Sequence, residues 1–301
     1  MLTGVQPREE RTGYGVALMA VAVILFTCID TAAKWLILAG LPALQVVFVR
    51  YAGHLIFALA FYIPREGREV FKSRRPFMQV LRSCCLLGST TLNFLALSAL
   101  PITVTTTIFF AMPIVVTLLA IPMLGERVGI RRIAAVCTGF IGVLVVVQPW
   151  STVWHPAMIY SLSALMLASM YFLFTRMLAG QESNATQQVW SAGLATLALV
   201  PIALTEWVWP QSPLGWFVFA AVGFFGFSGH ECATTAHRLA DASILSPMIY
   251  TQILWAAVAG IVVFSTWPTI YTLGGGLIII AAGLYIWQRE KALLRAGTDA
   301  S

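Results

Sequence analysis

Long apolar stretches succeed one another along this chain, near 14–37, 44–63, 77–99, 102–124, 132–149, 157–175, 188–206, 214–236, 242–266 and 270–288. A helix needs roughly 20 apolar residues to cross a hydrocarbon layer ~30 Å thick, so each stretch predicts one crossing. Inside lipid, a helix satisfies its own backbone polar groups, which an open strand cannot do. The pattern therefore predicts an all-α integral membrane protein with ten transmembrane helices. The first run starts at Gly13, behind Arg8 and Arg11, and continues to about Leu38. It exceeds the ~7–15 apolar residues of a signal peptide, so it is expected to be retained as span one.

The polar linkers fix the orientation. Sixteen of the eighteen Lys and Arg fall before span one, at every second junction, or in the tail, and the two others are Lys34 and Arg50. The intervening linkers, such as Trp150-Ser151-Thr152-Val153-Trp154-His155, carry none and are rich in tryptophan. Positive charge stays on the cytoplasmic side and tryptophan gathers at membrane interfaces. Both termini are thus expected in the cytoplasm, in a multi-pass protein of the bacterial inner membrane.

Composition agrees: 59% of the 301 residues are hydrophobic and 10% are charged. A soluble domain carries about 25% charged residues, so a water-facing surface cannot be built from this inventory. The net charge of +6 reads as topology, with no nucleic-acid partner implied. Cys28, Cys84, Cys85, Cys137 and Cys232 all fall in predicted spans and read as packing residues.

Five spans followed by five more place an odd number in each half, so the halves would insert upside-down to one another. Inverted repeats of this kind build many secondary transporters. The expected boundaries are 15–148 and 157–288, with 289–301 as a tail. Leu100-Pro101 leads into span four, and Leu239-Ala240-Asp241-Ala242 leads into span nine. Gly139 and Gly142 in span five are echoed by Gly274, Gly275, Gly276 and Gly283 in span ten, and Lys34 by Arg176. Pro113 and Pro247 lie inside the fourth span of each half. A proline removes one helical hydrogen bond, and paired breaks point to a site at the membrane midplane. A simple packing kink is the other reading.

Two motifs tempt toward an enzyme. Gly226-Phe227-Ser228-Gly229 resembles the nucleophile motif of rhomboid intramembrane proteases, but no histidine follows His237 to act as its base. His230-Glu231 begins a zinc-protease pattern whose second ligand must fall at i+4, where Thr234 stands. A metal site from His230, Cys232 and His237 fails because Cys232 points off the face that the two histidines share. Neither an enzyme nor a metal or other cofactor is expected.

The remaining candidates are polar groups inside the bilayer, where an ionisable residue costs roughly 2.5–3.5 kcal/mol and needs a partner or a wet cavity. Asp30 and Lys34 stand at i,i+4 in the order that favours an ion pair, and Arg50 and His54 repeat that spacing. Glu231 lies deep in span eight. Asp30, Lys34, Arg50 and Glu231 are therefore candidate binding or gating residues, with a coupling proton as a further ligand. The alternative is a structural role, with Asp30 and Lys34 satisfied locally as a pair and Arg50 anchored near the outer interface. Asn93 cannot satisfy its amide on its own helix, and Thr106 belongs to a threonine cluster opening span four. Phe109, Tyr171 and Tyr250 are the aromatic candidates nearby.

Asp30-Thr31-Ala32-Ala33-Lys34-Trp35, Gln45-Val46-Val47-Phe48-Val49-Arg50-Tyr51, Gly125-Glu126-Arg127 and the closing Gly283-Leu284-Tyr285-Ile286-Trp287-Gln288-Arg289-Glu290 together resemble the drug/metabolite transporter superfamily, EamA type. The resemblance covers nearly the whole chain as two repeats. The Gly-Glu after span four has no counterpart after span nine, where Phe264-Ser265 stands. It implies a ten-helix carrier that moves a small molecule by alternating access and works as a single chain among lipids. Arg74-Arg75-Pro76, Gln79 and Leu81-Arg82-Ser83 look most like the bacterial branch of riboflavin and S-adenosylmethionine uptake carriers. That likeness implies riboflavin uptake, with S-adenosylmethionine, amino acids or drugs as alternative cargo.

Overall fold

A computed structural model describes residues 12–124, 130–148, 150–151, 154–178, 181–203, 205, 207–239 and 245–298. The Gly125-Glu126-Arg127 motif, Arg8, Arg11 and Ala240-Asp241-Ala242 lie outside them. The architecture is all-helical, with no strand among the described residues. Spans one to three are α1 (Thr12–Leu38), α2 (Ala43–Glu66) and α3 (Pro76–Leu97). Span four is split into α4 (Ile102–Phe109) and α5 (Met112–Leu124), and span five is α6 (Ile130–Val147). Spans six to eight are α7 (Ala157–Leu178), α8 (Asn184–Ala203) and α9 (Pro213–Leu239). A 3-10 turn (Ser246–Thr251) leads into α10 (Gln252–Phe264), and α11 (Ile270–Thr298) closes the chain.

The differences from expectation have local causes. Pro113 is the second residue of α5, and a proline has no N–H to offer the carbonyl of Phe109 four residues back. The helix accordingly breaks at Phe110 and Ala111, whose N–H groups bond at i−3 to Thr107 and Ile108. Pro247 sits in the first turn of the 3-10 segment, which runs between the helical residue Leu245 and α10. The last helix runs past residue 288 to Thr298, because the Gln-Arg-Glu-Lys-Ala-Leu-Leu-Arg sequence there is made of strong helix formers.

Gly13–Leu38, Ala43–Phe71, Pro76–Leu97, Ala157–Thr175 and Pro213–Ala236 are each long and apolar enough to cross a membrane. Their outer faces are greasy: Val21, Ile56, Phe77, Ile159 and Phe217 are exposed. Apolar surface on this scale is covered by lipid. α8 is less apolar for a reason visible in its packing. Thr186, Gln187, Gln188 and Ser191 are buried, turned inward rather than toward lipid.

Helix neighbours follow a simple scheme. α1 lies on α9 and α3 on α7; α2 meets both α8 and α9; α4 meets α10, and α6 meets α11. The α2–α9 crossing is backbone on backbone. A Cβ added at Gly53 would stand 2.9 Å from Gly223 Cα, and one at Gly223 2.6 Å from Gly53 Cα. Small residues let membrane helices approach this closely, and the crossing brings the polar middle of α2 against the polar middle of α9.

Both ends of the bundle are tied across its halves. At the basic end, Glu182 accepts hydrogen bonds from Ser73 Oγ at 2.6 Å and from the backbone N–H of Arg74 and Arg75 at 2.8 and 2.9 Å. At the tryptophan-rich end, Gln45 exchanges two hydrogen bonds with the backbone of Val208, at 2.6 and 3.0 Å. Trp209 stacks on Trp216 beside them.

A buried cluster around Arg50

The Gly53–Gly223 crossing sets the geometry of the polar interior. One turn away on α2, Arg50 is buried at 3% exposure, and its Nη2 lies 3.0 Å from Nε2 of His230 on α9. A guanidinium can only donate, so His230 Nε2 accepts and the ring proton sits on Nδ1. The guanidinium carbon lies 4.2 Å from the centroid of the Tyr51 ring. Arg50 Nε and Nη1 are buried without a hydrogen-bond partner. A group of this kind normally finds partners, and a half-paired guanidinium inside a membrane protein is costly to keep.

His54, one turn further along α2 and 1% exposed, places Nε2 2.9 Å from Gln188 Oε1 on α8. His54 Nδ1 and Gln188 Nε2 have no partner. Arg50 and His54, four residues apart on α2, thus reach different helices, α9 and α8. Phe26, His54 and Tyr171 surround the His230 ring at 5.2, 5.7 and 6.5 Å between centroids.

Arg82 completes the wall. Its sequence position suggests a linker cation, but it lies on α3 at 5% exposure. Nε donates to Thr175 Oγ1 at 2.8 Å, Nη1 to Ser191 Oγ at 2.8 Å and Gln187 O at 3.2 Å, and Nη2 to Tyr171 OH at 2.9 Å. Every nitrogen is used, so Arg82 is a tie between α3, α7 and α8. Arg50 is a cation with capacity left over.

Asp30 on α1 receives a hydrogen bond from Asn93 Nδ2 on α3 at 3.0 Å and interacts electrostatically with Arg50. The expected Asp30–Lys34 ion pair does not form. Lys34 donates instead to the carbonyls of Leu97 and Leu100, at 2.8 and 2.5 Å, closing the C-terminal end of α3, where a cation is favoured by the helix dipole. Glu231 accepts from the Tyr62 hydroxyl and joins α9 to α2.

The structure therefore gathers Asp30, Arg50, Asn93 and Tyr171 around one interior. Thr106 is buried on α4, and Phe109 ends that helix at the Pro113 break. Tyr250 packs edge to face on Phe110, 5.6 Å away, with its hydroxyl against Gly283, where no Cβ would fit. His54, Arg82, Gln188 and His230 were not among the site residues expected from sequence. One signal was available for Arg82: it lies six residues into an apolar span that Pro76 opens. The side chains of Pro113, Arg176 and His237 are outside what the structure describes.

Comparison with known proteins places these features in context. The EamA-like transporter family matches residues 13–148 and, a second time, residues 155–287. An S-adenosylmethionine uptake transporter of Rickettsia prowazekii is 27% identical over 280 residues, covering 92% of this chain and 93% of that one. A riboflavin transporter of Rhizobium johnstonii is 27% identical over 290 residues, covering 96% and 95%. Both are named as transporters, which points away from an enzyme. A solved crystal structure superposes with a TM-score of 0.64 at 16% identity, over 93% of this chain and 99% of that one; at that identity the likeness concerns the fold alone.

Proposed function

We propose that this chain, which belongs to the EamA-like transporter family, is a secondary carrier that brings riboflavin into a bacterial cell across the cytoplasmic membrane by alternating access. The observation that carries the reading is Arg50: a buried guanidinium, half paired, at the crossing of α2 and α9. A permanent positive charge in that place is expensive unless a ligand uses it. Arg50 offers donors to the ring carbonyls of riboflavin. Phe26 and Tyr171 offer aromatic faces and edges near the same interior, which suit a flat ring.

Alternating access rests on the helix neighbours. Exchanging each span with the one five places further along turns α1–α9 into α7–α3 and returns α2–α8, α4–α10 and α6–α11 to themselves. Two inverted five-helix repeats, 15–148 and 157–288, account for that scheme. The ties at Glu182 and at Gln45 are then the two gates, one at each end. The cationic linkers support a cytoplasmic position for the Glu182 gate and both termini. A single chain contains the whole polar interior and works as a monomer in lipid. The carboxylate of Asp30 carries the coupling proton, exchanging it as Arg50 gains and loses cargo.

S-adenosylmethionine is the second reading, favoured by one feature. Asp30 and Arg50 have opposite charges in one interior, matching the amine and carboxylate of an amino-acid head group. Purified protein in proteoliposomes decides between them. Saturable accumulation of labelled riboflavin, unaffected by excess S-adenosylmethionine, is the expected result; accumulation of labelled S-adenosylmethionine instead would transfer the assignment.

A further inference from the structure

We infer that the niche between Arg50, His54 and Gly226 is a seat for a single alcohol hydroxyl, so that the substrate is recognised there through a sugar or sugar-alcohol chain. The inference rests on the transport reading and names what the cargo must carry. Gly226 is the middle residue of α9. A Cβ built on it would stand 3.7 Å from His54 Nδ1, 3.8 Å from Arg50 Nε and 3.7 Å from Arg50 Cγ. Both nitrogens are buried and without a partner, and they flank the same point.

Their hydrogen-bonding senses are opposite. Arg50 Nε–H can only donate. His54 Nε2 faces the carbonyl oxygen of Gln188 at 2.9 Å, which assigns the ring proton to Nε2 and leaves a lone pair on Nδ1 of the neutral imidazole. The two nitrogens thus present one donor and one acceptor beside the position that a Gly226 Cβ would take. A carboxylate would set an oxygen lone pair against that of Nδ1, and an ammonium would meet the arginine. A hydroxyl oxygen accepts from Nε and gives its own proton to Nδ1, satisfying both. The ribityl chain of riboflavin and the ribose of S-adenosylmethionine both supply such a group.

Two substitutions separate this seat from mere packing space. At 3.7–3.8 Å the Cβ of Ala or Ser at position 226 makes ordinary contact, so both variants fit the niche. Gly226→Ser also brings a hydroxyl of its own to the seat. The melting temperature of detergent-purified wild type, Gly226→Ala and Gly226→Ser is measured alone, with riboflavin, with lumiflavin (the same ring, a methyl in place of the ribityl chain) and with S-adenosylmethionine. Gly226→Ser is expected to melt several degrees above Gly226→Ala. In wild type one of the two hydroxylated probes should stabilise more than lumiflavin, and that probe identifies the ribityl or the ribose source; in Gly226→Ser the advantage should vanish. Serine melting no higher than alanine, or lumiflavin stabilising wild type as well as both hydroxylated probes, overturns the seat. Failure of the transport reading is a separate observation: no accumulation of either labelled compound in proteoliposomes, whatever the melting shifts.

Discussion

Arg50 Nη2 stands 3.0 Å from His230 Nε2, joining the middle of α2 to the middle of α9. That contact occupies one edge of the guanidinium, while Nε and Nη1 are buried without a hydrogen-bond partner. Arg50→Gln is expected to lower riboflavin uptake by about ten- to a hundredfold, the worth of a hydrogen bond to a charged group at ~1.5–3 kcal/mol. Arg50→Lys should not restore it, because a compact ammonium cannot reach His230 and a ligand from fixed directions. Uptake per reconstituted molecule is the measurement.

The proton role proposed for Asp30 can be separated from binding. Asp30→Asn keeps the side-chain shape and a carbonyl acceptor for Asn93 but cannot carry a proton. Uphill accumulation driven by a pH gradient should be lost, whereas exchange of internal for external riboflavin should continue. Loss of both would make Asp30 a binding residue.

Lys34 is expected to matter for stability rather than transport. Its ammonium serves the carbonyls of Leu97 and Leu100 at the end of α3. Lys34→Met should destabilise the protein by about 1–3 kcal/mol, the cost of leaving such groups unpaired. Melting in detergent reads this, and uptake per folded molecule should remain near the wild-type value.

Close contact at the α2–α9 crossing gives a fourth prediction. Gly223→Val places side-chain atoms where the backbone of Gly53 already stands, 2.6 Å from a Cβ. Overpacking costs typically 1–3 kcal/mol, and here it also separates Arg50 from His230. Melting temperature and uptake should fall together, in contrast with Lys34→Met.

At the basic end, Glu182 holds Ser73, Arg74 and Arg75. Glu182→Ala should loosen that tie. Single cysteines placed along the inner face of α3 should then label faster from the basic side, with no gain in labelling from the opposite side.

The spans were legible in the sequence because lipid enforces a single rule, a long apolar helix, on each of them. Span four shows where that rule stops: the apolar stretch 102–124 runs on without a sign of the turn at Phe110, and only Pro113 hints at it. Arg50 and Asp30 stood out because charge is rare in such stretches. Their partners did not. Gln188 and His230 are ordinary polar residues on distant spans, 134 residues from His54 and 180 from Arg50, and a single sequence does not say which distant helices touch. Lys34 illustrates the opposite error. The i,i+4 spacing to Asp30 is local and suggests a pair, but the long flexible stem reached the exposed carbonyls of α3 instead.

The most direct test of the account is a time course of labelled riboflavin uptake into proteoliposomes holding equal amounts of wild type or Arg50→Gln, both verified as folded by melting. The account predicts saturable uptake by wild type and little above empty vesicles for the variant. Equal uptake by the two proteins would contradict a binding role for the Arg50 cluster, and no uptake by wild type would contradict riboflavin as the cargo.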